Sequence, residues 1–180
     1  MTIWTIGHST RTLAELIAAL QAHGIAVLAD VRAFPASRHH PQFSRAHLSA
    51  VLPRAGITYC WLGELLGGYR KKTRLDSPHT ALRSAGFRNY ADYMDTEEFG
   101  QGIHKLLKLA EKKRTAYMCA ERLWWRCHRM LISDHLSALC SVEVIHILDE
   151  KKTEGHRLLR AARVADNRLV YDVGESEKLL

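Results

Sequence analysis

Five short apolar runs, each cut off by a polar or glycine-containing segment and most separated from the next by a stretch of helical period, limit the folds open to this chain. Thr2 to Ile6 is β-branched and aromatic and stops at Gly7, which reads as a strand running into a turn. Ile25 to Val31, Ile57 to Leu62, Thr115 to Cys119 and Val142 to Leu148 read as four more strands. The Ile25 to Val31 run is apolar continuously rather than alternately, as a strand buried on both faces of a parallel sheet requires.

Helical period fills most of the gaps. Thr12 with Glu15 fits a capping box, and Leu13, Leu16, Ile17 and Leu20 follow at helical spacing until Gly24 stops them. Phe43 before Ser44, with Leu48 after it, resembles a hydrophobic staple opening a short helix that ends around Pro53 to Gly56. Asn89 to Met94 begins another helical region, and Thr96 caps a clearer helix whose buried stripe is Phe99, Ile103, Leu106, Leu107 and Ala110. From about Cys127, the positions Leu131, Ile132, Leu136 and Leu139 restore the period. No period survives between Gly63 and Phe87, and Leu169 to Val173 reads as a small edge strand in a charged tail.

This alternation predicts an α/β fold: one domain over residues 1–180, three-layer α/β/α, with a mainly parallel sheet of about five strands joined by right-handed crossovers. Strand order is open. A length of 180 residues fits one well-buried domain, and 47% hydrophobic with 25% charged residues excludes a mainly disordered chain. There is no apolar run of about eighteen residues and no secretory pattern at the N-terminus, so no membrane contact and a cytoplasmic location are expected.

The fold assumption decides where chemistry collects. Gly7 to Ser9, Asp30 to Arg38, Gly63 to Gly68 and Cys119 to Arg129 all follow strands, so they are expected to line one cleft at the carboxyl edge of the sheet. Between Cys119 and Arg129 stand two thiols, a carboxylate, an imidazole, three guanidiniums and two indoles. Cys119, just past a strand and near Arg122, Arg126 and His128, is a candidate nucleophile, with a plain core cysteine as the alternative. The Cys-x5-Arg loop of thiol phosphatases is excluded, because Trp125 stands where its arginine belongs.

Glu121 is a candidate general acid or base, or a partner for Arg32 or Arg129. Cys127 and His128 fall where a helix begins, so amides there can hold an anion with Arg129 assisting. Cys119, Cys127 and His128, with His8, are also acceptable soft-metal ligands, though without paired CxxC spacing. Asp30 and Arg32, two apart on a strand, share a face. Trp124 and Trp125 can stack a ring or simply pack. The four cysteines, Cys60, Cys119, Cys127 and Cys140, are too few and too irregular for a disulfide framework. The net charge of +7 favours anionic partners, and the Tyr69 to Arg74 loop concentrates that charge.

With these pieces in order, the chain resembles the family DUF488. The resemblance is carried by Ile6-Gly7-His8-Ser9-Thr10, Asp30-Val31-Arg32 with Pro35, Ser37 and Arg38, Gly56-Ile57-Thr58-Tyr59, Leu62-Gly63 and Leu66-Gly67-Gly68. It continues through Phe87 to Met94, Met118-Cys119-Ala120-Glu121, Cys127-His128-Arg129 and His146-Ile147-Leu148. Where many members of the family carry proline between the CAE and CHR pieces, this chain has Trp124. The resemblance implies an α/β fold and one site made of these motifs, without naming a substrate or cofactor. Carried over by position, it marks His8, Ser9, Asp30, Arg32, Ser37, Arg38, Gly67, Gly68, Asn89, Tyr90, Cys119, Glu121, Cys127, His128 and Arg129.

The leading expectation is an enzyme for a small anionic or nucleotide-like substrate. In it Arg32, Arg38 and Arg129 bind negative charge, Cys119 or Glu121 carries reactivity, and His8 or His128 moves protons. Two alternatives stand beside it: a nucleic-acid-binding module using the basic loop 69–74, and a metal-binding or redox-sensing protein using Cys119 and Cys127.

Overall fold

The computed structural model describes residues 1–36 and 40–172. β1 (Thr2–Gly7) leads into α1 (Leu13–Ala22), β2 (Val27–Asp30), α2 (Arg45–Val51) and β3 (Thr58–Trp61). α3 (Gly63–Leu66), α4 (Ala85–Tyr93) and α5 (Glu97–Lys112) precede β4 (Thr115–Cys119), α6 (Arg129–Leu139) and β5 (Glu143–Ile147). Three short strands follow, β6 (Thr153–Gly155), β7 (Ala162–Ala165) and β8 (Arg168–Tyr171).

The first six strands form one sheet in the order β3-β2-β4-β1-β5-β6, with β1 to β5 parallel and β6 antiparallel to β5. Every residue of β2 is buried, as its continuous apolar run requires. Both halves of the Thr12–Glu15 capping box form, and Ser44 and Thr96 cap α2 and α5 with their hydroxyls.

Two apolar layers cover the sheet. Leu16, Ala19 and Leu20 of α1 and Leu48 of α2 pack with Ile6, Leu28, Ala116 and Met118 on one face. Phe99, Ile103 and Leu106 of α5 and Leu131, Ile132 and Leu136 of α6 pack with Ala29, Val31, Tyr117 and Val144 on the other. The chain leaves β1 toward β2 over the first face and leaves β4 toward β5 over the second. β1 and β4 are adjacent, so their carboxyl ends frame the switch point at which doubly wound sheets bind ligands.

Several elements differ from the sequence expectations, among them α3 and β7, which lie in stretches without a readable period. β6 adds a sixth strand, absent from the sequence reading because three residues of Thr-Glu-Gly carry no apolar pattern. Leu169 lies in β8, which pairs with β7 in a separate two-stranded ribbon rather than at an edge of the main sheet. The turn between them places Asp166 and Asn167 at φ 49° and 60°, the left-handed pair that a type I′ hairpin demands, and this Asp-Asn pair was the available signal. Val173 lies outside the described residues. Finally, α4 starts at Ala85 rather than Asn89, because Ser84, Ala85 and Gly86 give no apolar period. Among the described residues no helix is long and apolar enough to cross a membrane.

Candidate functional site

Cys119 closes β4, and Cys127 and His128 stand at the entry to α6. A single helical turn at Trp124–Arg126 folds the intervening loop back so that the two ends meet. Sγ of Cys119, Sγ of Cys127 and a ring nitrogen of His128 all lie within 4.8 Å of one another. His128 Nδ1 is 3.8 Å from Cys119 Sγ and 3.5 Å from Cys127 Sγ. The opposite nitrogen, Nε2, is 3.2 Å from the carbonyl oxygen of Val31. A carbonyl only accepts, so Nε2 carries the hydrogen and Nδ1 turns its lone pair toward the sulfurs.

The two thiols are not equivalent. The hydrogen bond between them draws Cys127 well below the usual thiol value and pushes Cys119 above it. Arg129, 1% exposed, adds its positive charge in favour of both thiolates. Gly68 approaches the cluster so closely that a Cβ there would stand 2.5 Å from His128 Nδ1. Tyr90, fully buried, sets its ring 5.1 Å from the imidazole and donates to the Leu66 carbonyl at 2.8 Å.

On the other face of the same edge, Asp30 and Arg32 form a buried pair. Asp30 accepts from the Arg32 backbone amide at 3.0 Å, from Nε at 2.8 Å and from Nη2 at 2.5 Å. Tyr59 also donates to Asp30 at 2.7 Å, and burial followed by the Asp30 charge raises the Tyr59 hydroxyl above its ordinary value. Arg32 Nη2 reaches the Phe43 carbonyl at 2.7 Å, and Nη1 lies 3.1 Å from His8 Nε2. His8 Nδ1 donates to the Ser9 carbonyl at 2.9 Å, which leaves Nε2 as the acceptor for Arg32. Burial lowers His8 to about 4, so it is neutral at pH 7. Its ring stacks 4.2 Å from Phe43.

The expected residues therefore gather at one sheet edge but in two groups. His8, Asp30 and Arg32 join the side of Phe43 and Tyr59, while Cys119, Cys127, His128, Gly68 and Tyr90 join the opposite side. Two backbone links tie them: His128 to Val31, and the His8 amide to the Cys119 carbonyl at 3.0 Å. Gly67 packs against Ala33, where a Cβ would come within 2.7 Å. Asn89 donates to the Arg70 carbonyl. Ser37 and Arg38 lie outside the described residues.

Glu121 is exposed and accepts from the Leu123 amide at 3.1 Å through its carboxylate. Arg129 instead takes the Glu121 carbonyl at 2.5 Å and Thr5 Oγ1 at 3.2 Å. Gly7 is needed for this approach, since a Cβ there would sit 1.9 Å from that same carbonyl oxygen. Trp124 packs: its ring is parallel to His146 at 4.2 Å and its Nε1 donates to Glu154. His146 continues to His156 at 3.0 Å, and His156 to Asp134 at 2.8 Å. Tyr171 completes this buried column at 3.1 Å from Asp134. No sequence signal points to Asp134, and His146 entered only through the HIL piece of the resemblance.

Beside the switch point a cleft of about 350 Å³ is lined by Ser9, Thr10, Arg11, Glu15, Arg122 and Asp149, among others. Ser9 enters it at φ 51°, held by its amide on the Ala120 carbonyl at 2.8 Å. In the basic loop, Arg70 turns inward to the Gly67 and Glu64 carbonyls and lies over the Tyr93 ring, and Arg74 faces Asp92 and Asp95. Lys71 and Lys72 are exposed.

Fold and site together define a doubly wound α/β protein with a compact Cys-Cys-His group beside its switch point. Residues 12–136 match the family described as domain of unknown function DUF488, and the chain belongs to that family. No curated protein and no solved structure matches it.

Proposed function

We propose that Cys119, Cys127 and His128 hold one soft divalent cation of the zinc class, and that the chain is an enzyme acting on a small anionic or nucleotide-like substrate beside it. The donor spacing carries this reading. A tetrahedral ion bonded at about 2.3 Å to sulfur and about 2.0 Å to nitrogen spaces sulfur and nitrogen donors roughly 3.5 Å apart. The observed separations are 3.5 and 3.8 Å. The Val31 carbonyl supports it as well, since metal-bound imidazoles donate their other nitrogen to such an acceptor.

Among the described residues the group has three members rather than four. Three protein donors are the count of zinc sites that act on substrate, whereas structural sites use four. A bound cation would supply Lewis-acid stabilisation of negative charge. The chain's own residues do the rest: His128 and the cysteines fix the position, and the Asp30–Arg32 pair holds the neighbouring strand end in place. Elemental analysis of protein purified under reducing, chelator-free conditions tests the reading. About one equivalent is expected in the wild type and a large loss in Cys119→Ser and Cys127→Ser, as removal of a ligand predicts. Equal metal content in all three proteins, or none in the wild type, overturns it.

A further inference from the structure

We propose that Phe34 and Tyr69 form a platform for the base of a nucleotide, with Lys71 and Lys72 receiving its phosphate. The proposal rests on the reading of Cys119, Cys127 and His128 only for the statement that the ligand lies beside the reactive centre. The two rings are exposed by 75% and 73%, yet they lie 6.0 Å apart, tilted by 59°. Single exposed apolar side chains are ordinary. A pair of large rings brought together in solvent from two separate loops is a different matter, because burying each would stabilise the fold by about 1.5–3 kcal/mol.

The loops that carry them are fixed at the site. Phe34 follows Val31, whose carbonyl accepts from His128, and Ala33, which touches Gly67. Tyr69 follows Gly68, which lies against the His128 ring. Both rings thus stand on segments that contact the same imidazole or its immediate support. The charge that follows Tyr69 along the chain is sorted. Arg70 and Arg74 are drawn onto carbonyls, a ring and carboxylates of the protein, while Lys71 and Lys72 remain exposed. A planar ring with an anionic group attached is the chemistry such a surface recognises. Stacking of a base on an aromatic side chain is worth about 1–3 kcal/mol and is tolerant of base identity, and lysines supply point charges for phosphate.

The same chemistry is offered by a free nucleotide and by one residue of a single strand, so calorimetric titration would use adenosine monophosphate, ribose phosphate and a short single-stranded oligonucleotide. Phe34→Leu and Tyr69→Leu keep apolar bulk and remove the ring; each is expected to weaken adenosine monophosphate by about fivefold or more. Lys71→Gln with Lys72→Gln is expected to weaken all three phosphate-bearing ligands and to flatten the salt dependence. Ribose phosphate is expected to bind more weakly and to ignore both ring substitutions. Tighter, ring-dependent binding of the oligonucleotide would assign the platform to a strand. Affinity for both base-bearing probes that is absent, or unchanged in both leucine variants, overturns the platform. Metal content measured on the same preparations separates this failure from failure of the metal reading, since full metal with no nucleotide binding removes the platform alone.

Discussion

The backbone of Gly68 lies against the imidazole of His128, and a methyl group added to its Cα would stand 2.5 Å from Nδ1. Real Cβ atoms do not come that close, so the Gly68→Ala chain must shift the loop or the ring. Gly68→Ala is expected to retain its helical circular dichroism and to lose metal affinity by about 10–100-fold, the usual consequence of disturbing a ligand's support. Unchanged affinity would remove the role of the Gly68 backbone in holding the His128 ring.

Asp30 and Arg32 are buried, and the Arg32 guanidinium is engaged by the Asp30 carboxylate, His8 Nε2 and the Phe43 carbonyl. Asp30→Ala leaves a buried cation without its carboxylate, and removal of one member of such a pair costs about 3–5 kcal/mol. Urea unfolding should show that loss. Arg32→Lys should be damaging as well, because an ammonium cannot serve Asp30, Phe43 and His8 from one planar fork. Wild-type stability in either variant would remove the structural role assigned to the pair.

Much of this arrangement was legible in the sequence. The Thr12–Glu15 box, the continuous β2 run and the glycine stops fixed elements whose carboxyl ends had to meet, because parallel strands joined by crossovers end at one edge. The division of that edge into two groups was harder to read. It depends on strand parity at Asp30 and Cys119, which point to opposite faces only once the strand order is known. The Val31 carbonyl and the Asp134–His156 contact left no mark in the sequence, since backbone acceptors and core polar contacts have no pattern of their own, and His146 entered only with the HIL piece of the resemblance.

Acid should destabilise the fold over a definite window. Burial first, with the charges of His156 and Arg129 added, lowers His146 to about 3, and burial lowers His135 to about 4. An unfolded histidine binds its proton near pH 6.5. Below that pH the unfolded chain holds more protons than the folded one, so stability is complete above about pH 6.5 and falls as the pH drops toward 4 and 3. Urea midpoints should decline accordingly, and His146→Gln should reduce the slope by up to about 1.4 kcal/mol per pH unit. The same slope in the variant would show that His146 does not titrate in this way.

Cobalt(II) titration of the reduced protein tests the metal centre most directly, because the absorption spectrum reports the donor atoms as well as the occupancy. Coordination by Cys119, Cys127 and His128 predicts intense visible bands of a tetrahedral ion and a near-ultraviolet thiolate-to-cobalt transition that saturates at about one equivalent. Cys119→Ser and Cys127→Ser should each lower that transition by about half or more. A wild-type spectrum without the sulfur transition, or one unchanged by either substitution, would contradict the account.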